Sequence, residues 1–133
     1  MNQLGIGAML HRLSGGSEHG AEEYYGRTIT GASMSDERLR LTFTEGPAIE
    51  IWDNGQSCCE RRYMRTDDNL ETLIGGKLVR IEAKDGPDLE DGWECHEQVF
   101  VEVGTDQGFI TIANHNEHNG YYGGFDLTIT EVR

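Results

Sequence analysis

The stretch Arg38-Leu39-Arg40-Leu41-Thr42-Phe43 (RLRLTF) alternates charged or polar residues with Leu39, Leu41 and Phe43. A period of two is the mark of a strand with one face buried and one face wet. The same alternation returns in Ala48-Ile49-Glu50-Ile51-Trp52-Asp53 (AIEIWD), after a turn-like break at TEGP. Upstream, RTITGASM at 27–34 is rich in Thr and Ile and ends at SDE, a second turn signal. These three strands predict an antiparallel meander.

Further along, 54–65 reads as a loop. Asp67 or Asp68 is placed to cap a short helix running through Leu73 and stopped by Gly75 and Gly76. KLVRIEA (77–83) predicts a strand with Val79, Ile81 and Ala83 on one face, and DGPDLEDG (85–92) an acidic loop. Strands are then expected at 96–103, 108–113 and 125–132, with a polar loop at 114–124. The resulting fold class is α+β and β-dominated: two related three-stranded antiparallel meanders, a C-terminal strand and one short helix. Residues 1–23, broken by five glycines, predict an N-terminal arm, loosely held or ordered on another subunit. Residues 24–133 form a single domain, in which 26–65 and 76–124 read as an internal duplication. Open strand edges predict a homo-oligomer.

With 133 residues the chain fits one domain. It carries a net charge of −13 at pH 7. A surface of that sign repels a phosphate backbone and anionic lipid, which disfavours broad nucleic-acid binding and a membrane partner. No apolar run is long enough for a membrane-spanning helix, and no basic region precedes the apolar patch at 6–10. Three cysteines, an odd number, suit a reducing compartment, so a cytoplasmic location is expected.

Three of the eleven basic residues, Arg61, Arg62 and Arg65, fall in one short stretch. Guanidinium forks match phosphate or carboxylate, so an anionic ligand is expected there. The segment Asn114-His115-Asn116-Glu117-His118-Asn119-Gly120-Tyr121-Tyr122 supplies amides and rings that suit a nucleotide-like molecule. Trp52 offers a further stacking face. The expected ligand contacts are therefore Trp52, Arg61, Arg62, Arg65, Asn116, Asn119, Tyr121 and Tyr122. Cys58 and Cys59, with His115 and His118, and with Cys95 and His96 in reserve, are weak candidates for a metal site. Their spacing lacks the usual C-x2-C pattern, so no metal or other cofactor is expected.

Ser57-Cys58-Cys59-Glu60 after a meander, Leu70-Glu71-Thr72-Leu73-Ile74-Gly75, and then Asn119-Gly120-Tyr121-Tyr122, resemble a domain family of unknown function common in bacteriophages and bacteria. The likeness runs from about residue 26 to 132. It implies a phage or prophage setting, in which small acidic proteins bind and disable host components. The leading expectation is a small binding protein that sequesters a nucleotide-like anionic immune signal without turnover, and hence not an enzyme. One alternative is an acidic inhibitor that docks on a host protein. Another is a hydrolase that uses a thiol or a metal. All of these need the 54–65 and 114–124 segments to meet in space.

Overall fold

The computed structural model describes residues 21–55, 60–90, 95–119 and 124–132. Eight strands are described: β1 (Ile29–Met34), β2 (Arg38–Phe43), β3 (Ala48–Asp53), β4 (Arg61–Arg65), β5 (Leu78–Asp85), β6 (Cys95–Thr105), β7 (Phe109–His118) and β8 (Leu127–Val132). They form two four-stranded sheets in the orders β1-β2-β3-β8 and β4-β7-β6-β5, and every pairing is antiparallel. The expected meanders are both present, as β1-β2-β3 and β5-β6-β7.

The two halves of the chain follow one topology. After the first meander, β4 crosses to lie beside β7, the last strand of the second meander. After the second meander, β8 crosses back to lie beside β3, the last strand of the first. Each sheet is thus completed by a strand from the other half.

The alternation in the sequence fixes which faces are buried. Leu39, Leu41, Ile49, Ile51, Leu127 and Ile129 from the first sheet join one core with Ile81, Val99, Val101, Val103, Ile110 and Ile112 from the second. Burying a side chain of this kind contributes about 1.5–3 kcal/mol. Tyr24 and Ala21, in a single 3-10 turn (Ala21–Tyr24), also enter the core, so residues 21–23 belong to the packed domain and not to an arm. Residues 1–20 lie outside the described part.

Four local expectations change. Val79, expected on one face with Ile81 and Ala83, is 44% exposed, because the register shifts between Leu78 and Arg80 and Leu78 takes the buried place. The helix after Asp67 is one 3-10 turn (Leu70–Leu73), and its cap is Asn69, whose side chain accepts from the Glu71 amide at 2.9 Å. Asp68 instead accepts the backbone N–H of Thr111 at 2.8 Å, and no α-helix occurs among the described residues. The 54–65 segment ends in β4, which gains a ladder partner in β7. The 114–124 segment begins with five more residues of β7. Polar side chains hid that extension, because their partners lie on other strands.

Sheet edges are partly covered. Thr28 and Lys77 bridge the two sheets beside β1 and β5, and the β1–β2 turn lies on β4 through the Met64 N–H to Asp36 O bond at 2.7 Å. No helix among the described residues is long and apolar enough to cross a membrane.

Candidate functional site

Strand β4 brings the arginine stretch directly beside the amide-and-imidazole stretch. Arg61 pairs with Glu117, Arg62 with Asn116, Tyr63 with His115 and Arg65 with Ala113. Alternation then divides these residues between two faces of the sheet. Arg62 and Asn116 face the interior. Arg61, Tyr63, Arg65, His115 and Glu117 face outward, on the same side as His96 of β6.

On the inner face, one end of the sandwich is polar. Strand β7 buries Ile110 and Ile112, and then Asn114, Asn116 and His118. Arg62 sits among the last of these with its side chain 6% exposed. Its Nη1 lies 3.0 and 2.8 Å from the two Asp53 oxygens, and its Nη2 lies 2.9 Å from each Glu60 oxygen. The same Nη1 donates to Gly124 O at 2.9 Å. Burial by itself lowers the affinity of Arg62 for its proton, but Asp53 and Glu60 outweigh it and the pKa is raised. Asn116 donates to Glu60 at 3.1 Å and to Gly124 O at 3.3 Å, while its Oδ1 is buried with no hydrogen-bond partner among the described residues. Glu97 accepts from the Gly124 amide at 3.0 Å and is 2.9 Å from His118 Nε2.

This hub ties together the chain on either side of the two recognised motifs. Asp53 and Glu60 flank the Ser57-Cys58-Cys59 segment, and Asn119 and Gly124 flank the Tyr121-Tyr122 segment. The motif residues Cys58, Cys59, Tyr121 and Tyr122 lie outside the described part. Arg62 and Asn116, both expected ligand contacts, make these buried contacts, and Arg62 also lines a cavity together with Trp52.

On the outer face the register builds a grid. One row is Arg61, Glu117 and His96; the next is Tyr63, His115 and Gln98; the next is Arg65, Ala113, Phe100 and Lys84. The Tyr63 hydroxyl donates a short hydrogen bond to Glu117 Oε2. Burial, then the Glu117 bond and charge, pushes the Tyr63 phenol up to about 12. His115 stacks on the Tyr63 ring with centroids 4.7 Å apart and an interplanar angle of 13°. The guanidinium carbons of Arg61 and Arg65 lie 4.7 and 4.8 Å from the same ring's centroid. Both arginine side chains remain open to solvent, 61% and 50% exposed. Arg61 makes a long contact with Glu117 at 3.4 Å, and Arg65 an exposed pair with Asp36 at 3.1 Å, where water competes.

Beside these residues lies a shallow cleft of about 500 Å³. Ala113 and Thr111 form its floor; Arg65, His115, Phe100 and Phe109 stand around it, and Asp67 and Asp68 form one rim. Ala113 creates the depression, since every neighbour in its row is longer. Phe100 and Phe109 carried no signal of a site in the sequence, where they read as ordinary strand residues. Phe109 is 53% exposed, which is unusual for a phenylalanine.

The remaining expected contacts lie elsewhere. Trp52 belongs to the other sheet, where it donates to Thr130 Oγ1 at 3.2 Å and carries the Arg38 guanidinium 4.0 Å from its ring centroid. It lines a smaller cavity between the sheets with Asp36, Glu37 and Met64. Asn119 is exposed just past the end of β7. His115 and His118, three residues apart on a strand, face opposite ways and cannot share an ion. Among the described residues no group of three or more His, Cys, Asp or Glu side chains is arranged to hold a metal.

No curated protein and no solved structure matches the chain. A family model described as "Domain of unknown function (DUF7448)" matches residues 22–127, a span that includes both polar clusters. The chain belongs to that family of domains of unknown function.

Proposed function

We propose that this domain binds a small anionic ligand carrying a planar ring, of the nucleotide type, on the outer face of the second sheet. The row Arg65–Ala113–Phe100 carries the reading. Neighbouring strands are about 4.8 Å apart, so the two flanking residues stand roughly 10 Å from each other across the small floor residue. That gap admits one flat ring, with Phe100 available for stacking and Arg65 for charge-assisted hydrogen bonds. The cleft has a volume common among small-molecule sites.

Charge selects among anions. The chain is strongly acidic overall, and Asp67 and Asp68 occupy one rim of the cleft. A polyanion would meet repulsion along most of its length. A ligand with its charge at one end and a neutral ring at the other avoids it, by placing the charge between Arg61 and Arg65. Of the eight residues named from sequence, this reading keeps Arg61 and Arg65 and adds His115, Phe100, Phe109 and Ala113.

Calorimetry against AMP, cyclic dinucleotides and ADP-ribose tests the proposal. At least one is expected to bind, with affinity falling at least about tenfold in Ala113→Leu, which fills the floor, and in Arg65→Ala. No heat from any of them, or unchanged affinity in Ala113→Leu, would reject it.

A further inference from the structure

Behind the cleft, His115 Nδ1 lies 2.9 Å from His96 Nε2, and His96 Nδ1 lies 3.8 Å from Glu117 Oε2. The file runs from a carboxylate 5% exposed, through an imidazole 4% exposed, to an imidazole on the wall of the cleft. A hydrogen bond between two imidazole nitrogens contains one hydrogen and needs a bare nitrogen to accept it. While that bond persists, the two rings together carry at most one positive charge. Doubly protonated, they would point N–H at N–H and the contact would break.

We propose that His96 and His115 form a one-proton store that sets the charge of the cleft, with Glu117 as its buried counter-ion. The regulation of the site proposed above is what this adds, so its ligand half rests on that reading. When the pair is neutral, the positive charge on this face comes from Arg61, Arg65 and Lys84. When the pair takes up its proton, the charge resides on the His96–His115 bond, on the wall of the cleft, and adds to the positive field that the ligand's anionic group meets. Anion binding therefore draws a proton in, because linkage requires each to favour the other.

The groups facing the pair agree with a single stored charge. From β4, Arg61 and Arg65 oppose a second positive charge, and Tyr63 is held neutral as a donor to Glu117. From β7, Glu117 offers one negative charge. From β6 the neighbour in the next row is the uncharged Gln98, and beyond it on β5 stands Lys84. The segment following β5 bonds to His96 O through the Leu89 amide, next to Asp88 and Glu90 in the chain, and Asp67 and Asp68 line the cleft with His115.

Histidine-selective NMR on the free protein decides whether the pair exists as a unit. Across about pH 5 to 8, the His96 and His115 ring signals are expected to move together with a total uptake of one proton. In His96→Gln the shared bond is gone, and the His115 ring signals are expected to lose that coupled behaviour. Two separate one-proton transitions in the wild type would overturn the proposal. The ligand half is read by calorimetry with AMP at pH 7 in buffers of differing ionisation enthalpy. Wild type is expected to take up a proton on binding, and His115→Gln to take up none. Binding with zero uptake in wild type would overturn the linkage. A complete absence of AMP binding would reject the binding reading instead, and the NMR titration would still establish or overturn the histidine pair.

Discussion

Arg62 reaches across the sandwich to Asp53, placing Nη1 3.0 and 2.8 Å from the two carboxylate oxygens of a residue on the opposite sheet. With Glu60 on its other edge, it is a buried cation held between two carboxylates. Removing it takes away the cation that these two buried acids share, while the Gly55 and Asp126 amides still reach Asp53 and Asn116 still reaches Glu60. Arg62→Met is therefore expected to cost about 3–5 kcal/mol, as for other broken buried pairs. Urea unfolding measures it. The triple variant Arg62→Met, Asp53→Asn, Glu60→Gln should recover part of the loss, because the stranded charges go with their partner. A single variant as stable as wild type would show that the hub contributes nothing.

Alkaline pH should weaken the fold through its tyrosines. Tyr63 is raised to about 12 by burial and Glu117, and Tyr24 is raised by burial and by its bond to Glu131 at 2.7 Å. In the unfolded chain both phenols lose their protons near pH 10. Native-state protons bind more tightly, so the associated stability is complete below about pH 10 and is lost as pH rises through the folded-state values. Melting temperature should fall between pH 10 and 12, and less steeply in Tyr63→Phe. Parallel curves for the two proteins would contradict the assignment.

The exposed arginines separate binding from folding. Arg61→Ala and Arg65→Ala remove solvent-open guanidiniums with weak ion pairs, so each should shift stability by less than about 1 kcal/mol. Chemical denaturation checks this alongside the calorimetry. A loss of several kcal/mol in either variant would mean that stacking on Tyr63 supports the fold, and would remove the site-specific reading of lost affinity.

Gly124 stands at φ 77, with its amide on Glu97 and its carbonyl accepting from Arg62 and Asn116. A Cβ there would meet nothing within 4 Å among the described residues. Gly124→Ala is expected to cost about 1–2 kcal/mol through the left-handed backbone alone. A circular-dichroism melt indistinguishable from wild type would show that the segment relaxes freely.

The polar ends of β4 and β7 mark the limit of what pattern reading reaches here. Arg61-Arg62-Tyr63-Met64-Arg65 has two long apolar bodies among three arginines and no strict alternation, so the period-two signal is absent. In Ala113-Asn114-His115-Asn116-Glu117-His118 it is lost entirely. These residues are strand all the same, because Glu60, Asp53 and Glu97 stand ready to satisfy the inward ones. Glu97 precedes His118 by 21 residues and Glu60 precedes Asn116 by 56, while Asp53 meets Arg62 from the opposite sheet. No local window reveals those pairings.

Alternating Leu, Ile and Val at 38–53, 99–103 and 110–112 determined, without any further information, that this chain makes two meanders with one apolar face each, since side-chain period and burial are local properties. Only the tertiary structure decided that β4 and β8 change sheets. That exchange turned one arginine of the cluster inward and left two outward, and it set Ala113 between Arg65 and Phe100. The reason is that cross-strand register and sheet pairing are contacts between distant residues, selected by packing and charge compensation and not by the periodicity of either segment alone.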